Sequence, residues 1–290
     1  MKTGLIGLGN MGTAMAENLY QAGFLHAVWN RNENKTRAFC EQHAVPVSHS
    51  LSSLAKSCEL IITCVSADKD LLEVTHQLEP DLQAGTIIVD TSTVSMQTAK
   101  DLCKRLSTID VAFIDAPVSG GVEGAKNATL VMMAGGDEKT LNRIRPTLNA
   151  ISTHVAHMGP CGNGQATKAV NQVMAAGINQ AVSEALALAD AAGLELDTVI
   201  DVISGGAAGN WFLQHRGQNM TRDIFEPGFK THLHQKDLQL CKQMIQQLTD
   251  GEKSLPIVEM TLIHYQRLID AGFGDEDIST LYRLKKDIFK

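Results

Sequence analysis

The feature that most constrains the fold is a glycine-rich stretch near the N-terminus, GLIGLGNMGTAM at residues 4–15. Its glycines Gly7, Gly9 and Gly12 lie between an apolar run and a helix-forming run. In that context glycines permit a tight turn, close approach of the backbone to a pyrophosphate, and close packing of helix on strand. The free N–H groups and the dipole at the helix N-terminus would attract the phosphates. A glycine-rich turn with a purely structural role is the alternative.

The first half of the chain alternates short apolar runs with amphipathic segments. After the opening run, further apolar runs lie at 26–30, 60–65, 86–90, 111–115 and 130–135. This alternation is typical of βα units around a buried, largely parallel sheet. A GxGxxG turn on the first strand of such a series predicts a Rossmann dinucleotide-binding domain, assigned to residues 1–162. The cofactor-binding residues of the turn are then Gly7, Leu8, Gly9, Asn10, Met11 and Gly12.

The second half of the chain reads as helical. Residues 165–192 contain no proline and a single glycine, and they are rich in alanine, so they predict one long helix. Further helices are predicted at 195–203, 235–249, 256–271 and 275–288. We therefore expect an α/β fold in which a Rossmann domain precedes an all-α domain, assigned to residues 163–290.

Composition excludes several classes of protein. The chain has 290 residues, 44% hydrophobic and 20% charged, which is ordinary for a soluble globular protein. No apolar run reaches the ~18 residues of a membrane span, and the six cysteines are scattered without a CxxC pair. The net charge of −7 comes without long like-charge blocks, which argues against nucleic-acid binding. We expect a cytoplasmic protein with reduced thiols, no membrane partner and no nucleic-acid partner.

The end of the second predicted strand bears on cofactor choice. An NAD site usually has an acidic residue here, which binds the ribose 2′-hydroxyl. This chain has Asn30 followed by Arg31. Arg31 could pair with a 2′-phosphate, which predicts NADP(H) as the preferred cofactor and leaves NAD(H) open. The alternative is an exposed arginine at a strand end.

Two further segments carry residues suited to carbonyl chemistry. Ser119, Gly120 and Gly121 follow a predicted strand, and a hydroxyl with two glycine N–H groups could hold a carboxylate. Lys168 and Asn171 lie three residues apart on the long helix, so they share a face. A lysine there can exchange a proton with an alcohol or carbonyl oxygen, and an amide can hold that oxygen. On spacing alone, a solvated turn and a solvated helix face are the alternatives.

Taken together, these segments resemble the β-hydroxyacid dehydrogenase family, which includes 3-hydroxyisobutyrate dehydrogenases and tartronate semialdehyde reductases. The resemblance covers essentially the whole chain. It depends on four segments in the family's order: GLIGLGNMG at the N-terminus, DAPVSGGVEGA at 115–125, GNGQATKAVNQ at 162–172 and HQKDLQL at 234–240. The related 6-phosphogluconate dehydrogenase has the same general organisation.

The resemblance implies roles for individual residues. Lys168 would be the catalytic acid and base, Asn171 would orient the substrate oxygen, and Ser119, Gly120 and Gly121 would hold the substrate carboxylate. Other residues would contact the cofactor, namely Val65, Ser66, Thr93, Phe229 and Lys236. The implied partner is a small carboxylate-bearing hydroxy acid or aldehyde, and the implied assembly is a homodimer or homotetramer. No metal is required, because lysine and asparagine can polarise the carbonyl.

Two other functions share this architecture. Imine reductases usually lack the lysine–asparagine pair, so Lys168 argues against that class. A dinucleotide-binding interaction protein without catalysis should also lack the lysine. The histidines His232 and His234 are two residues apart, so on a helix they would point to nearly opposite sides, which disfavours a metal site. Segment 205–212 favours the small-semialdehyde reductases, but the substrate itself is not specified.

Overall fold

The computed structural model describes residues 1–43, 45 and 48–289. The chain divides into two compact units, Met1–Lys168 and Ala169–Lys290. We call them unit 1 and unit 2. The predicted domain boundary between residues 162 and 163 stays a prediction, because the helix that begins at Asn163 continues into unit 2.

Unit 1 is built on a five-stranded parallel sheet with strand order β2-β1-β3-β4-β5. Its strands are β1 (Thr3–Ile6), β2 (Leu25–Trp29), β3 (Leu60–Thr63), β4 (Ile87–Asp90) and β5 (Ala112–Asp115). Each corresponds to an apolar run in the sequence. The sheet order places β1, with the glycine-rich turn at its carboxyl end, inside the sheet.

Both faces of this sheet are buried. Successive residues of a strand point to opposite faces. Leu5 and Ile62 accordingly pack in one apolar cluster, whereas Ile6 and Ile61 pack in another. The helices between the strands are α1 (Asn10–Gln21), α2 (Glu33–His43), α3 (Leu51–Ser57), α4 (Asp68–Leu78) and α5 (Met96–Ser107), with a short 3-10 helix at Glu79–Asp81. Burial on both faces explains why the strands read as continuous apolar runs.

A second, three-stranded sheet completes unit 1. It contains β6 (Val118–Ser119), β7 (Leu130–Ala134) and β8 (Ser152–His157), with helices α6 (Gly121–Lys126) and α7 (Glu138–Leu148) between them. The strand β6 is antiparallel to β7, and β7 is parallel to β8. Of these strands only β7 was expected from the sequence. Ser119 therefore lies in a short strand rather than in a simple turn.

The long helix predicted from the alanine-rich segment is confirmed as α8 (Asn163–Ala191), which has 29 residues. At 1.5 Å per residue it is about 43 Å long. Lys168 lies in its second turn.

Unit 2 continues with helices that pack around one apolar cluster. They are α9 (Leu196–Ser204), α10 (Trp211–Thr221), α11 (Thr231–Leu248), α12 (Pro256–Asp270) and α13 (Leu281–Lys286), with 3-10 helices at Ile278–Thr280 and Asp287–Phe289. The core includes the fully buried rings of Tyr265 and Tyr282. The helix α10 was not predicted, and the predicted helix at 275–288 is broken into 3-10 and α segments. The α/β fold class with a mainly helical C-terminal half is confirmed.

None of the helices in the described part of the chain has the length and apolar content needed to span a bilayer.

Candidate active site

The predicted site residues of unit 1 follow the carboxyl ends of the parallel strands. Gly7 follows β1, Asn30 follows β2, Val65 follows β3 and Thr93 follows β4. Ser119 lies just beyond β5. Because the carboxyl ends of parallel strands lie at one edge of a sheet, these residues lie along the edge where ligands bind in open α/β sheets. Ser66 is exposed, whereas Val65 and Thr93 are half-buried.

The glycine-rich turn is tightly packed at two of its glycines. Gly7 has a φ of +103°, a conformation that favours glycine, and a Cβ there would overlap the carbonyl oxygen of Cys64. A Cβ at Gly12 would overlap the carbonyl oxygen of Gly7, where α1 packs on the turn. These two positions are glycine because the fold of unit 1 requires it.

Gly9 is glycine for a different reason. Its φ of −78° suits any residue, and no atom lies within 4 Å of where its Cβ would be. It is the N-cap of α1, which has neither a side-chain cap nor an acidic residue in its first turn. An uncovered backbone at an uncapped helix N-terminus fits the close approach of a pyrophosphate. The residues present therefore fit a dinucleotide, and Asn10 and Met11 begin the helix that would hold it.

Asn30, at the end of β2, is hydrogen-bonded to the glycine-rich turn. Its Oδ1 accepts a hydrogen bond from the Leu8 backbone N–H at 2.9 Å, and its Nδ2 donates to the Asn32 carbonyl at 3.1 Å. The Lys35 ammonium donates to the Leu8 carbonyl at 3.3 Å. Both polar groups of Leu8 are thus held by side chains from the next βα connection.

Arg31 extends into solvent, with 77% of its side chain exposed. Its Nη1 lies 3.0 Å from Oδ1 of Asp70, in the first turn of α4. Arg31 therefore joins the connection after β2 to the connection after β3.

A buried network organises the strand ends nearest Val65. The Val65 N–H donates to Ser92 Oγ at 2.8 Å, and that hydroxyl donates to Asp90 Oδ1 at 2.6 Å. The hydroxyl of Thr63 donates to the same Asp90 oxygen at 2.7 Å. Burial raises the pKa of Asp90 to about 7, although the bonds from Ser92 and Thr63 act in the opposite direction. Asp90 Oδ2 is buried and has no hydrogen-bond partner among the described residues.

Asp115 anchors the start of α8 to the end of β5. Its Oδ1 accepts the Gly162 N–H at 2.7 Å, and its Oδ2 accepts the Gln165 N–H at 2.9 Å. Burial raises the pKa of Asp115 to about 6, and these N–H groups oppose the shift. A Cβ at Gly164 would overlap the backbone carbonyl oxygens of Met133 and Asp115 and would also lie 2.8 Å from Asp115 Oδ2, so only glycine fits there.

Gln165 ties the same turn of α8 to the loop after β4. Its side chain accepts from the Val94 N–H at 3.2 Å and donates to the Ser92 carbonyl at 2.8 Å. The strand ends and the first turn of α8 therefore form one hydrogen-bonded assembly within unit 1.

Lys168 lies one turn beyond Gln165 and is only 7% exposed. Its Nζ donates to the Val118 carbonyl at 3.0 Å, next to Ser119. Gly120 and Gly121 follow with φ values of +126° and +62°, which favour glycine. The structure therefore brings Lys168 together with the segment from Val118 to Gly121.

Unit 2 holds the other three predicted site residues. Asn171 Nδ2 donates to Gln172 Oε1 at 2.9 Å, and Gln172 Nε2 donates to Asp237 Oδ2 at 2.6 Å. Asp237 Oδ1 lies 3.0 Å from the Lys236 ammonium. Asn171 and Lys236 are thus linked through Gln172 and Asp237. The Phe229 ring lies beside the His234 ring, with centroids 5.2 Å apart.

Sequence reasoning did not find the supporting residues Asp90, Asp115, Gln165 and Gln172. Three of them lie inside recognised segments, but each has a partner that is distant in the sequence. Asp115, for example, contacts backbone groups 47 and 50 residues away. The signal that could have found it is an acidic residue at the end of an apolar run, since a buried carboxylate needs a partner.

Within the described residues, no cluster of three or more His, Cys, Asp or Glu side chains is arranged to hold a metal ion. His232 is exposed and its Nδ1 contacts the Gly274 carbonyl at 2.9 Å, whereas His234 is buried beside Tyr265.

Comparison with known proteins gives consistent matches along the chain. Residues 2–159 match the family described as the NAD binding domain of 6-phosphogluconate dehydrogenase. Residues 162–285 match the family described as NAD-binding of NADP-dependent 3-hydroxyisobutyrate dehydrogenase.

Individual relatives match over most of their length. An uncharacterized oxidoreductase of Shewanella frigidimarina is 37% identical over 240 residues, which cover 82% of each chain. The mitochondrial 3-hydroxyisobutyrate dehydrogenase of Drosophila melanogaster is 32% identical, over 98% of this chain and 89% of the relative. Among solved structures, the 3-hydroxyisobutyrate dehydrogenase of Mycobacterium tuberculosis with L-serine has a TM-score of 0.86 at 29% identity, covering 98% of both chains.

Proposed function

Because the chain belongs to the β-hydroxyacid dehydrogenase family, we propose that it interconverts a small β-hydroxy acid and its semialdehyde, with Lys168 as general acid and base. As a member of that family, it is an NAD(P)-dependent dehydrogenase that acts on a CH–OH group. The substrate, the role of Lys168 and the preference for NADP are the parts of this function that we propose.

The observation that carries the proposal is the contact between the Lys168 ammonium and the Val118 carbonyl at 3.0 Å. It holds a buried amine beside Ser119 and the two glycines that follow. If the Ser119 hydroxyl and the glycine N–H groups bind the carboxylate of the substrate, the oxygen on its β carbon would be within reach of a proton donor on α8. This arrangement favours a substrate with a carboxylate at one end and a hydroxyl or aldehyde two carbons away.

The proton chemistry follows from that position. In oxidation, neutral Lys168 accepts the hydroxyl proton of the substrate. In reduction, its ammonium form donates a proton to the carbonyl oxygen. The bound nicotinamide supplies the hydride chemistry. Asn171 carries two N–H donors on its amide, so its bond to Gln172 is compatible with a second bond to the substrate oxygen.

The substrate class has support from a structural relative. The Mycobacterium tuberculosis enzyme is described with L-serine, which carries a carboxylate and a β-hydroxyl group. A hydroxyisobutyrate or a small semialdehyde is similar to L-serine in size and also carries a carboxylate. We therefore propose a three- or four-carbon hydroxy acid as the substrate.

The cofactor proposal depends on the strand end at Asn30 and Arg31. Asn30 replaces the acid that would repel a 2′-phosphate, and Arg31 offers an exposed guanidinium beside it. We propose that NADP(H) is preferred and that Val65, Ser66, Thr93, Phe229 and Lys236 contact the cofactor. The glycine-rich turn would hold its pyrophosphate.

We also propose a homodimer or homotetramer. Unit 2 exposes large apolar side chains, including Val170 and Met174 on α8 and Ile263 on α12, each more than half exposed. Val170 and Met174 lie four residues apart on one face of α8, and contiguous exposed apolar side chains mark contact surfaces. Light scattering of the purified protein measures its mass in solution and tests this assembly.

A spectrophotometric screen tests the function. Small carboxylate-bearing aldehydes are assayed with NADPH and NADH, and β-hydroxy acids with NADP and NAD, alongside cyclic imines and uncharged aldehydes. We expect turnover of a carboxylate-bearing aldehyde and of the matching hydroxy acid. Turnover of imines alone would show that the alternative of an imine reductase is correct. Cofactor binding without any turnover would favour a non-catalytic module.

A further inference from the structure

The candidate determinant of cofactor choice, Arg31, is already engaged by an acid. Its Nη1 lies 3.0 Å from Asp70 Oδ1. Arg31 follows β2 and Asp70 lies in the first turn of α4, so the pair spans two βα connections at the carboxyl edge of the sheet. The Asp70 side chain is 23% exposed, against 77% for Arg31. The carboxylate is thus the less exposed partner.

A 2′-phosphate bound to Arg31 would have to share this guanidinium with Asp70. The phosphate carries a charge of about −1.5 to −2 at pH 7. If Arg31 keeps its contact with Asp70, the phosphate and the carboxylate lie a few ångströms apart and repel each other. If Arg31 turns away to meet the phosphate, the ion pair is lost. Either route lowers the affinity for NADP relative to NAD, which has no charge at that position.

We propose that Asp70 is a specificity-determining residue that opposes binding of the 2′-phosphate, so that it sets how strongly the enzyme prefers NADP over NAD. The proposal rests on the assignment of Arg31 to the 2′-phosphate under the proposed function. The proposal predicts that the preference of the wild type for NADP over NAD lies at the low end of the range that one arginine contact can provide.

Neighbouring charges do not duplicate this role. Asp68, two residues earlier, accepts hydrogen bonds from the Ser95 N–H at 2.9 Å and the Thr98 hydroxyl at 2.6 Å, at the N-terminus of α5. Glu73, one turn later on α4, accepts from Gln77 at 3.5 Å. The substitution Glu73→Gln is therefore a matched control, because it removes the same charge from the same helix at a residue that does not pair with Arg31.

The test measures binding of two probes by calorimetry, adenosine 2′,5′-bisphosphate and adenosine 5′-monophosphate. They are titrated into the wild type, Asp70→Asn, Glu73→Gln and Arg31→Ala, at low and at physiological salt. For Asp70→Asn we expect roughly three- to tenfold tighter binding of the bisphosphate and less than a twofold change for the monophosphate. Glu73→Gln should change neither by more than about twofold, and higher salt should shrink the Asp70 effect.

Three outcomes separate this inference from the proposed function. Unchanged or weaker bisphosphate binding by Asp70→Asn overturns the inference, and weaker binding would mean that Asp70 positions Arg31 for the phosphate. An equal gain in Glu73→Gln also overturns it, because the effect would then be general to the helix. If Arg31→Ala leaves bisphosphate affinity unchanged, the cofactor assignment itself is wrong. Steady-state kcat/KM with NADPH and NADH in the same variants should follow the binding ratios.

Discussion

The two ends of the candidate site in unit 1 are built differently. At one end, which we call the Arg31 end, the charged pair Arg31 and Asp70 lies at the surface, with the arginine 77% exposed. At the other, the Lys168 end, Asp90 and Asp115 are fully buried and Lys168 is 7% exposed. Every one of these buried groups accepts or donates a hydrogen bond within unit 1.

Because of this difference in burial, substitutions that alter cofactor preference and substitutions that alter the proton donor should differ in their cost to stability. An exposed ion pair contributes about 0–1 kcal/mol to stability, so a change at the Arg31 end costs the fold little. A buried polar group that loses its partner costs about 1–3 kcal/mol, so a change at the Lys168 end disturbs the fold as well as the chemistry. The cofactor preference should therefore be easy to alter, and the position of the proton donor hard to alter.

The largest effect should come from removing the proton donor. For Lys168→Ala we expect kcat to fall by ~10²-fold or more, because a general acid and base is lost. Binding of adenosine 2′,5′-bisphosphate should be nearly unchanged, since that probe lacks the reacting end. Lys126→Ala, at an exposed lysine of α6, is the matched control and should retain full activity. A Lys168 variant with more than a third of wild-type kcat would exclude this role.

A charge change at the Arg31 end should shift cofactor choice by a comparable factor. One charge-assisted contact corresponds to a preference of roughly 10- to 150-fold for NADPH in kcat/KM, and the Asp70 carboxylate should hold the wild type near the lower value. Asn30→Asp with Arg31→Ser should erase or reverse it through cofactor KM, and the new carboxylate can still accept the Leu8 N–H. Initial rates with both cofactors measure the ratio. Arg143→Ser, at an exposed arginine of α7, should leave the ratio unchanged, and a wild type that prefers NADH would contradict the assignment.

At the Lys168 end, the buried carboxyl of Asp90 should make stability depend on pH. Its pKa of about 7 lies above the ~3.9 of an unfolded aspartate, so its contribution is present below about pH 4 and is lost as pH rises through 7. Between pH 5 and 8 the wild type should lose on the order of 2 kcal/mol through this group. Asp90→Asn should remove that loss.

Denaturant unfolding at several pH values measures this dependence. The Trp29 fluorescence in a Trp211→Phe background reports unit 1, since the chain has two tryptophans. Asp115, whose charge also raises the pKa of Asp90, is present in both proteins. Asp101→Asn, at an exposed residue of α5, is the control. Equal pH slopes for wild type and Asp90→Asn would show that Asp90 does not hold its proton.

The smallest of these effects should follow from loosening the start of α8. Asp115→Asn keeps one carbonyl oxygen but turns an amide group toward one of the N–H groups of Gly162 and Gln165. We expect kcat to fall roughly 5- to 10-fold while cofactor KM stays constant, because the turn that carries Lys168 is less well held. Asp137→Ala removes the N-cap side chain of α7 and serves as the control. It should lower the melting temperature without lowering kcat, and an equal loss of kcat in both would refute a specific role for Asp115.

The sequence was sufficient to predict the parallel sheet, because its strands are buried on both faces and appear as apolar runs. It did not predict β6, β8 or α10. The strand β8 (Ser152–His157) has polar residues at most positions and is defined by its pairing with β7. The helix α10 follows a segment rich in glycine, and its buried apolar side chains, Phe212, Leu213 and Met220, do not recur along the helix often enough to form a helical pattern in the sequence. These elements depend on tertiary contacts that no local pattern records.

The same limit applies to the candidate site. The glycine-rich turn and the segments with Ser119 and Lys168 could be predicted because each is a short local pattern. The carboxylate that holds the turn of Lys168 could not, because Asp115 meets Gly162 and Gln165 only after β5 and α8 come together. Likewise, the pairing of Arg31 with Asp70 joins residues 39 apart. Local sequence therefore indicates candidate site residues, and the folded chain determines which neighbours hold them.

Gly9 differs from the other two glycines of the turn, because its replacement should affect function without affecting folding. Side chains at Gly7 and Gly12 would collide with the protein's own backbone, whereas a side chain at Gly9 would extend into open space. A single methyl group at residue 9 should therefore leave a well-folded protein and obstruct only what binds there. In genetic terms, Gly9→Ala would be an allele that removes cofactor binding while preserving the abundance and surfaces of the protein. A cell carrying that allele would reveal whether the protein has a function that does not depend on catalysis.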